Sequence, residues 1–146
     1  MPGELRAIAW KEKPRQPMVL AEAAEITVDK GLAGDFRGAI EGRQVTIVFE
    51  EDWAAACADL GAEPPWTARR ANLLVRGLAN PRAAGGVIRI GGVRLQITEE
   101  TEPCSVMDKQ MKGLRAALKP DWRAGVSTRV LTGGAIRVGD AVSLEG

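Results

Sequence analysis

VIRIGGVRLQIT, residues 87–98, decides the fold. Two short apolar-rich runs, VIRI and VRLQIT, flank Gly91-Gly92. A two-glycine connection between such runs is a hairpin signal, because the tight turns that twist with the strands demand positive φ angles. Upstream, LRAIAWK near the start, EITV leading into the glycine-rich KGLAGDFRG, and RQVTIVF with Val45 and Ile47 alternating read as further strands, the last of them half-buried. Downstream, VSTRVLT, Gly133-Gly134 and AIRVGDAVSL predict a second hairpin. Many short strands separated by glycine turns favour a closed or nearly closed barrel over an open sheet. The expected class is mainly β, barrel-like with two short helices, as one domain over residues 1–146.

GGVIRIGGVRL at 85–95 and GGAIRVGDAVSL at 133–144 share Gly-Gly-x-Ile-Arg-(Ile/Val)-Gly. Turn chemistry common to hairpins of one barrel accounts for the match more simply than an internal duplication.

Two segments carry helical spacing. In EEDWAAACADLG, Trp53, Ala56, Cys57 and Leu60 fall on one face and Gly61 is a natural stop. After Cys104, Ser105 and Asp108 fit the spacing of a capping box. Met107, Met111, Leu114 and Leu118 then recur at helical intervals until Lys119-Pro120. Both methionines read as core filling. Lys112 and Arg115 read as the solvated face of this second helix. AEPPWTARR, 62–70, reads as a linker.

Composition narrows the chemistry. The 146 residues carry 20 basic and 19 acidic side chains, so bulk charge points neither to nucleic acid nor to a membrane surface. No apolar run approaches the ~20 residues of a membrane span, and the N-terminus lacks the apolar core of a secretion signal. Two cysteines make no disulfide framework, which suits a reduced cytoplasmic protein. Histidine and tyrosine are both absent. Catalysis would therefore run on a thiol, carboxylates, Lys or Arg, backbone groups or a bound cofactor.

The two cysteines differ. Cys57 lies within an apolar helical stripe and reads as an inert core thiol. Cys104, in EPCSVMD, stands behind Pro103 and just outside a helix start. Open N–H groups and the positive end of the helix would stabilise a thiolate there, below its free pKa of ~8.5, and Lys109 adds positive potential. On these residues alone, a reactive thiol and a loop residue packed behind the helix remain equally open.

The succession GLAGDFRG (31–38), EGRQVTIVFEED (41–52), RRANLLVRGL (69–78), IRIGGVRLQITEETEPC (88–104) and GVSTRVLTGGAIRVGDAV (125–142) resembles the MOSC domain, named for the C-terminal domain of molybdenum cofactor sulfurases. The resemblance implies a strand-rich barrel and a functional cysteine, here Cys104. It implies three roles: binding of molybdenum cofactor (molybdopterin), transport of sulfur as a Cys104 persulfide, or molybdenum-dependent reduction of N-hydroxylated compounds with Cys104 as metal ligand. The partners implied are a pyridoxal-phosphate cysteine desulfurase or a molybdoenzyme. The reductase role also needs an electron-donor surface, for which the chain carries no domain, and it ranks last. Arg70 and Asn72 match an Arg-x-Asn placement in the family, and two residues apart on a strand they would share a face toward the cofactor's phosphate and pterin. Arg129, on one face with Ser127 and opposite Thr128, is a further candidate. Asp35 stands as a cofactor-binding or a turn residue, and Arg43, which opens a strand and could pair with it, is a cofactor-binding candidate as well. Two departures stand out: Phe36 and Arg37 where relatives often carry a loop histidine, and Met107 where several carry a second cysteine.

Overall fold

The computed structural model describes residues 2–145. Its strands are β1 (Gly3–Trp10), β2 (Val19–Ala21), β3 (Ala23–Thr27), β4 (Gly31–Leu32), β5 (Val45–Phe49), β6 (Leu73–Arg76), β7 (Val87–Ile90), β8 (Val93–Glu100), β9 (Val126–Thr132), β10 (Gly134–Arg137) and β11 (Ala141–Leu144). The helices are α1 (Glu50–Leu60), α2 (Ser105–Gln110) and α3 (Leu114–Leu118), with 3₁₀ turns at Trp66–Arg69 and Pro120–Trp122.

Gly91 takes φ 59° and turns β7 back onto β8, with Ile90 opposite Val93. From this hairpin the sheet runs β11-β7-β8-β9-β5-β6-β1, and β1 pairs with β11 to close a seven-stranded barrel. β2 hangs on β1 as an extra edge strand. All barrel pairs are antiparallel except β5–β6. Parallel neighbours need a long crossover, and α1 with the 66–69 turn supplies it. β10, β3 and β4 form a small second sheet.

The barrel interior holds Leu5, Ile8, Ile47, Leu73, Leu95 and Val126 among others, all fully buried. A second apolar layer lies outside, where α1 and α3 pack Trp53, Cys57, Leu114 and Leu118 against Val48 and Leu74. This layer corrects the expectation for 45–49. β5 is buried at every position: Val45, Ile47 and Phe49 face the interior, while Val48 faces the helices.

α1 has the form its spacing predicts. Trp53, Ala56 and Cys57 are buried, and Gly61 at φ 74° donates to the Cys57 carbonyl. The helix expected over 105–118 is instead broken in two. Met111 is extended and Gly113 sits at φ 90°, so the helix restarts at Leu114. The break lets Met107, Leu114 and Leu118 all reach one apolar layer. The capping box does not form either. Cys104 itself occupies the N-cap, with no side-chain cap, and Asp108 accepts from the Arg115 N–H at 3.0 Å, tying α2 to α3.

The C-terminal hairpin also fails. β9 pairs with β5 and β8, whereas β10 crosses to β3 and β11 returns to the barrel. At Gly133 a Cβ would lie 2.5 Å from the Ile26 carbonyl oxygen, so only glycine lets the chain cross there. The segments matched as a repeat are used differently: 85–95 forms a barrel hairpin, whereas 133–144 puts β10 in the small sheet and β11 beside β7 in the barrel. Among the described residues no helix is long and apolar enough to cross a membrane.

Candidate functional site

Where β8 leaves the barrel, Pro103 and Cys104 form the lip of a cavity of about 520 Å³. Cys104 is exposed. The floor carries Arg69 and Thr46, one wall carries Arg37, and Ser127 and Thr101 close another side with their hydroxyls 2.9 Å apart. Arg43 and Arg115 stand at the rim.

Arg69 is 1% exposed. Its Nε donates to the Ala124 carbonyl, but Nη2 is buried with no partner. Burial, aided by the charge of Arg37, pushes this guanidinium down to about 9, and negative charge at Cys104 acts in the opposite direction. A cation lacking a carboxylate and left one hydrogen bond short is costly. An anion in the cavity would offset that cost.

Arg37 is held from two sides. The Asp35 carboxylate accepts from the Arg37 N–H at 3.2 Å and from the Lys11 N–H at 3.0 Å, so it shapes the loop. Arg37 Nη1 donates to the Arg70 carbonyl at 3.1 Å, and its guanidinium lies 5.0 Å from the Phe36 ring. Burial lowers the Arg37 guanidinium, while Asp35 and Cys104 act against that shift. Burial raises the Asp35 carboxyl, opposed chiefly by its bond from the Arg37 backbone. Asp35 thus sets Arg37 rather than lining the cavity.

The other residues singled out by sequence are scattered. Arg70 is on no strand: it ends the 66–69 turn at φ 65°, and this left-handed reversal separates it from Arg69. It donates to the Pro14 carbonyl and lines a different cavity. Asn72 is buried behind the wall, accepting from Thr46 N–H at 3.0 Å and donating to the Ala9 carbonyl at 3.2 Å, so it ties β5 and β6 to β1. The expected shared face of Arg70 and Asn72 does not exist. Arg43 pairs with Glu99 at 2.9 Å, not with Asp35. Ser127 reaches the cavity, whereas Arg129, two residues further along β9, is exposed and donates to Gln96 at 2.7 Å. Arg115 was expected on a solvated face; it is exposed, yet its Nε reaches the Pro103 carbonyl at 3.3 Å.

Sequence reasoning missed Arg69 and passed over Arg37. The RR pair at 69–70 held the signal, but which arginine turns inward depends on the backbone reversal at Arg70. AEPPWTARR accordingly does more than link two elements: its 66–69 turn carries Arg69 into the cavity.

The cysteines separate as expected in place. Cys57 is buried, and burial pushes its thiol up. Iodoacetamide near neutral pH is therefore expected to add one carbamidomethyl group to the native protein, on Cys104, and two after unfolding. Intact mass with peptide mapping checks this, and native labelling of Cys57 would contradict it.

Comparison with solved structures places this architecture among known folds. The YuaD protein of Bacillus subtilis superposes with a TM-score of 0.85 at 18% identity, covering 99% of this chain and 96% of that one. YiiM of Escherichia coli gives 0.72 at 16% identity, over 98% of this chain and 70% of that one. YiiM of Geobacillus stearothermophilus gives 0.70 at 19%, over 99% and 76%. At such identities the likeness is one of fold. No curated protein sequence matches the chain. The family model of the MOSC domain matches residues 33–143, the greater part of the chain, and the protein belongs to the MOSC domain family.

Proposed function

We propose that the protein binds molybdenum cofactor in the cavity beside Cys104, with the thiolate as anchor. The family is associated with molybdenum cofactor sulfurase-like proteins; the cavity sets Arg37, Arg43, Arg69 and Arg115 against Glu99, Glu100 and Glu102, with Arg43 paired to Glu99. The observation that carries the reading is the unpartnered Nη2 of Arg69, buried next to Arg37 in the cavity that Cys104 borders. A phosphate-bearing ligand satisfies such a guanidinium, because arginine's planar fork gives two parallel hydrogen bonds to one phosphate. About 520 Å³ lies within the usual range for a small-molecule cofactor. When bound, the cofactor supplies redox and sulfur-transfer chemistry at its metal.

The chain's own groups have separable tasks in this reading. Arg69 and Arg37 hold the anionic end. The Ser127 and Thr101 hydroxyls offer donors and acceptors to the ring edge. Cys104, on the exposed lip, would hold the metal through its sulfur. Glu100, whose carboxyl is raised by burial and by Glu102, holds a proton more readily than an open carboxylate.

A second reading is favoured by the exposure of Cys104 beside two cations. Here Cys104 carries sulfur as a persulfide. Its thiolate attacks the outer sulfur of a persulfide on a cysteine desulfurase, the new S–S bond forms, and the donor's thiolate leaves. Arg69 and Arg37 would steady the resulting anion.

The deciding experiment is metal analysis of protein made in a host that synthesises molybdenum cofactor, wild type against Cys104→Ser. Molybdenum approaching one per chain in the wild type and lost in the variant is expected. Absence of molybdenum from both, with one sulfur added to Cys104 after incubation with a desulfurase, would replace the first reading with the second. Molybdenum unchanged in the variant would remove Cys104 as the anchor, and no sulfur added to Cys104 by a desulfurase would remove the second reading.

A further inference from the structure

On the other side of α2 from Cys104 lies a larger cavity, about 1030 Å³. Its cationic lining is Lys11, Arg15, Arg70 and Lys109, and no carboxylate lines it. Two nearby acids are turned to other uses: Asp108 binds the Arg115 N–H, and Asp35 binds the backbone of Lys11 and Arg37; Glu12 and Glu63, next to Lys11 and Pro64 in the chain, are exposed and do not line the cavity. Lys11 is 1% exposed and forms none of the ion pairs among the described residues; its ammonium donates to the Pro14 carbonyl at 2.8 Å and lies 5.4 Å from the centre of the Phe36 ring. Arg70 donates to the same carbonyl. Two cations thus share one neutral acceptor, and each retains unused donors. In a chain of net charge +1, this concentration of one sign is local.

We propose that this cavity is the docking groove for an extended, acidic segment of a partner protein. Four features favour a peptide over a small anion. The cations come from three separate stretches of chain, 11–15, 70 and 109, rather than from a single loop. Between them the walls are apolar and stiff, built of Pro14, Pro17, Pro64 and Pro65 with Met18 and Met111. The volume reaches the top of the range for small-molecule sites. Finally, the chain leaves the cavity at Met18 directly into β2, an edge strand bonded to β1 alone, with Leu20 65% exposed. An edge strand offers free backbone groups to an added extended chain, and dispersed Lys and Arg read its acidic side chains. Val106, Lys109 and Gln110 face this groove while Cys104 and Met107 face the other cavity, and Thr67 and Arg70 face it while Arg69 faces the other, so α2 and the 66–69 turn separate a docked segment from the thiol. The groove itself does not depend on the cofactor reading.

The test is fluorescence anisotropy with a labelled Glu/Val peptide of about a dozen residues and its Gln/Val counterpart. The acidic peptide is expected to bind at least about tenfold more tightly than the neutral one, with affinity falling as salt rises. Arg15→Glu with Lys109→Glu, both exposed positions that leave the core untouched, is expected to weaken it about tenfold or more. Arg137→Glu, an exposed charge reversal elsewhere, is expected to change it less than about twofold. Equal binding of the neutral peptide, or equal loss with Arg137→Glu, would overturn the groove. Displacement by inorganic pyrophosphate beyond that of chloride at matched ionic strength would also overturn it, marking a small-anion site.

Discussion

Arg69→Met is expected to lower the cavity's affinity for a phosphate-bearing anion about 100-fold while changing the free energy of unfolding by less than about 2 kcal/mol. The two effects separate because Arg69 makes one hydrogen bond, to the Ala124 carbonyl, and leaves Nη2 unsatisfied. Charge-assisted hydrogen bonds from a buried guanidinium are worth about 1.5–3 kcal/mol each, and a phosphate would gain two of them. For the folded chain without ligand, the same guanidinium is a liability. Methionine of similar length removes an uncompensated buried charge, and such replacements are often close to neutral. Loss of the Ala124 contact costs about 1 kcal/mol in the other direction. Urea denaturation reads the stability, and calorimetric titration with inorganic phosphate, beside molybdenum content, reads the binding. A large loss of stability with unchanged phosphate affinity would make Arg69 a brace for Ala124 and nothing more.

Gly125→Ala is expected to destabilise the fold by about 4 kcal/mol, lowering the melting temperature by roughly 10 °C or more. Gly125 sits at φ 97°, and a Cβ there would come within 1.9 Å of the Ile47 carbonyl oxygen and 2.9 Å of its carbon. Both are backbone atoms of a central barrel strand, so neither can yield as a flexible side chain would. Relief requires β9 to shift away from β5 at Val126–Ile47, the last pair of that ladder. The shift would reach the site. Thr101 N–H donates to the Gly125 carbonyl at 3.0 Å, and the neighbouring Ala124 carbonyl receives Arg69. Thermal melts followed by circular dichroism measure the loss. A variant within about 1 kcal/mol of the wild type would show that the β5–β9 contact is far looser than the geometry indicates.

Local patterns were reliable where one neighbour decided the outcome. The stripe of α1 with Gly61 at its end, and the Gly91 turn, depend on side-chain spacing and on φ freedom, both written in consecutive residues. Patterns misled where a distant partner intervened. RQVTIVF alternates like a half-buried strand, yet the helix layer covers its second face, and no local feature announces that cover. The run Met107–Leu118 has one unbroken period, but the chain spends Gly113 on a break so that both halves can pack. Gly133-Gly134 has the composition of a hairpin turn and serves a crossing between sheets.

The candidate site divides along the same line. Sequence alone determined a strand-rich barrel, the absence of histidine chemistry, and the contrast between a core cysteine and one beside a helix start, because each depends on residue type or near spacing. It also drew attention to Arg70, next to the arginine that matters, and to the loop holding Asp35. Tertiary structure alone decided that Arg69 and Arg37 stand in the cavity with Cys104, that Asp35 braces Arg37, and that Arg70 and Arg129 face elsewhere. The physical reason is that the destination of a long cationic side chain follows from the backbone reversal at its root and from what covers it. At position 70 that reversal is a single positive φ angle, and the cover comes from residues 124 and 37, far away in the chain.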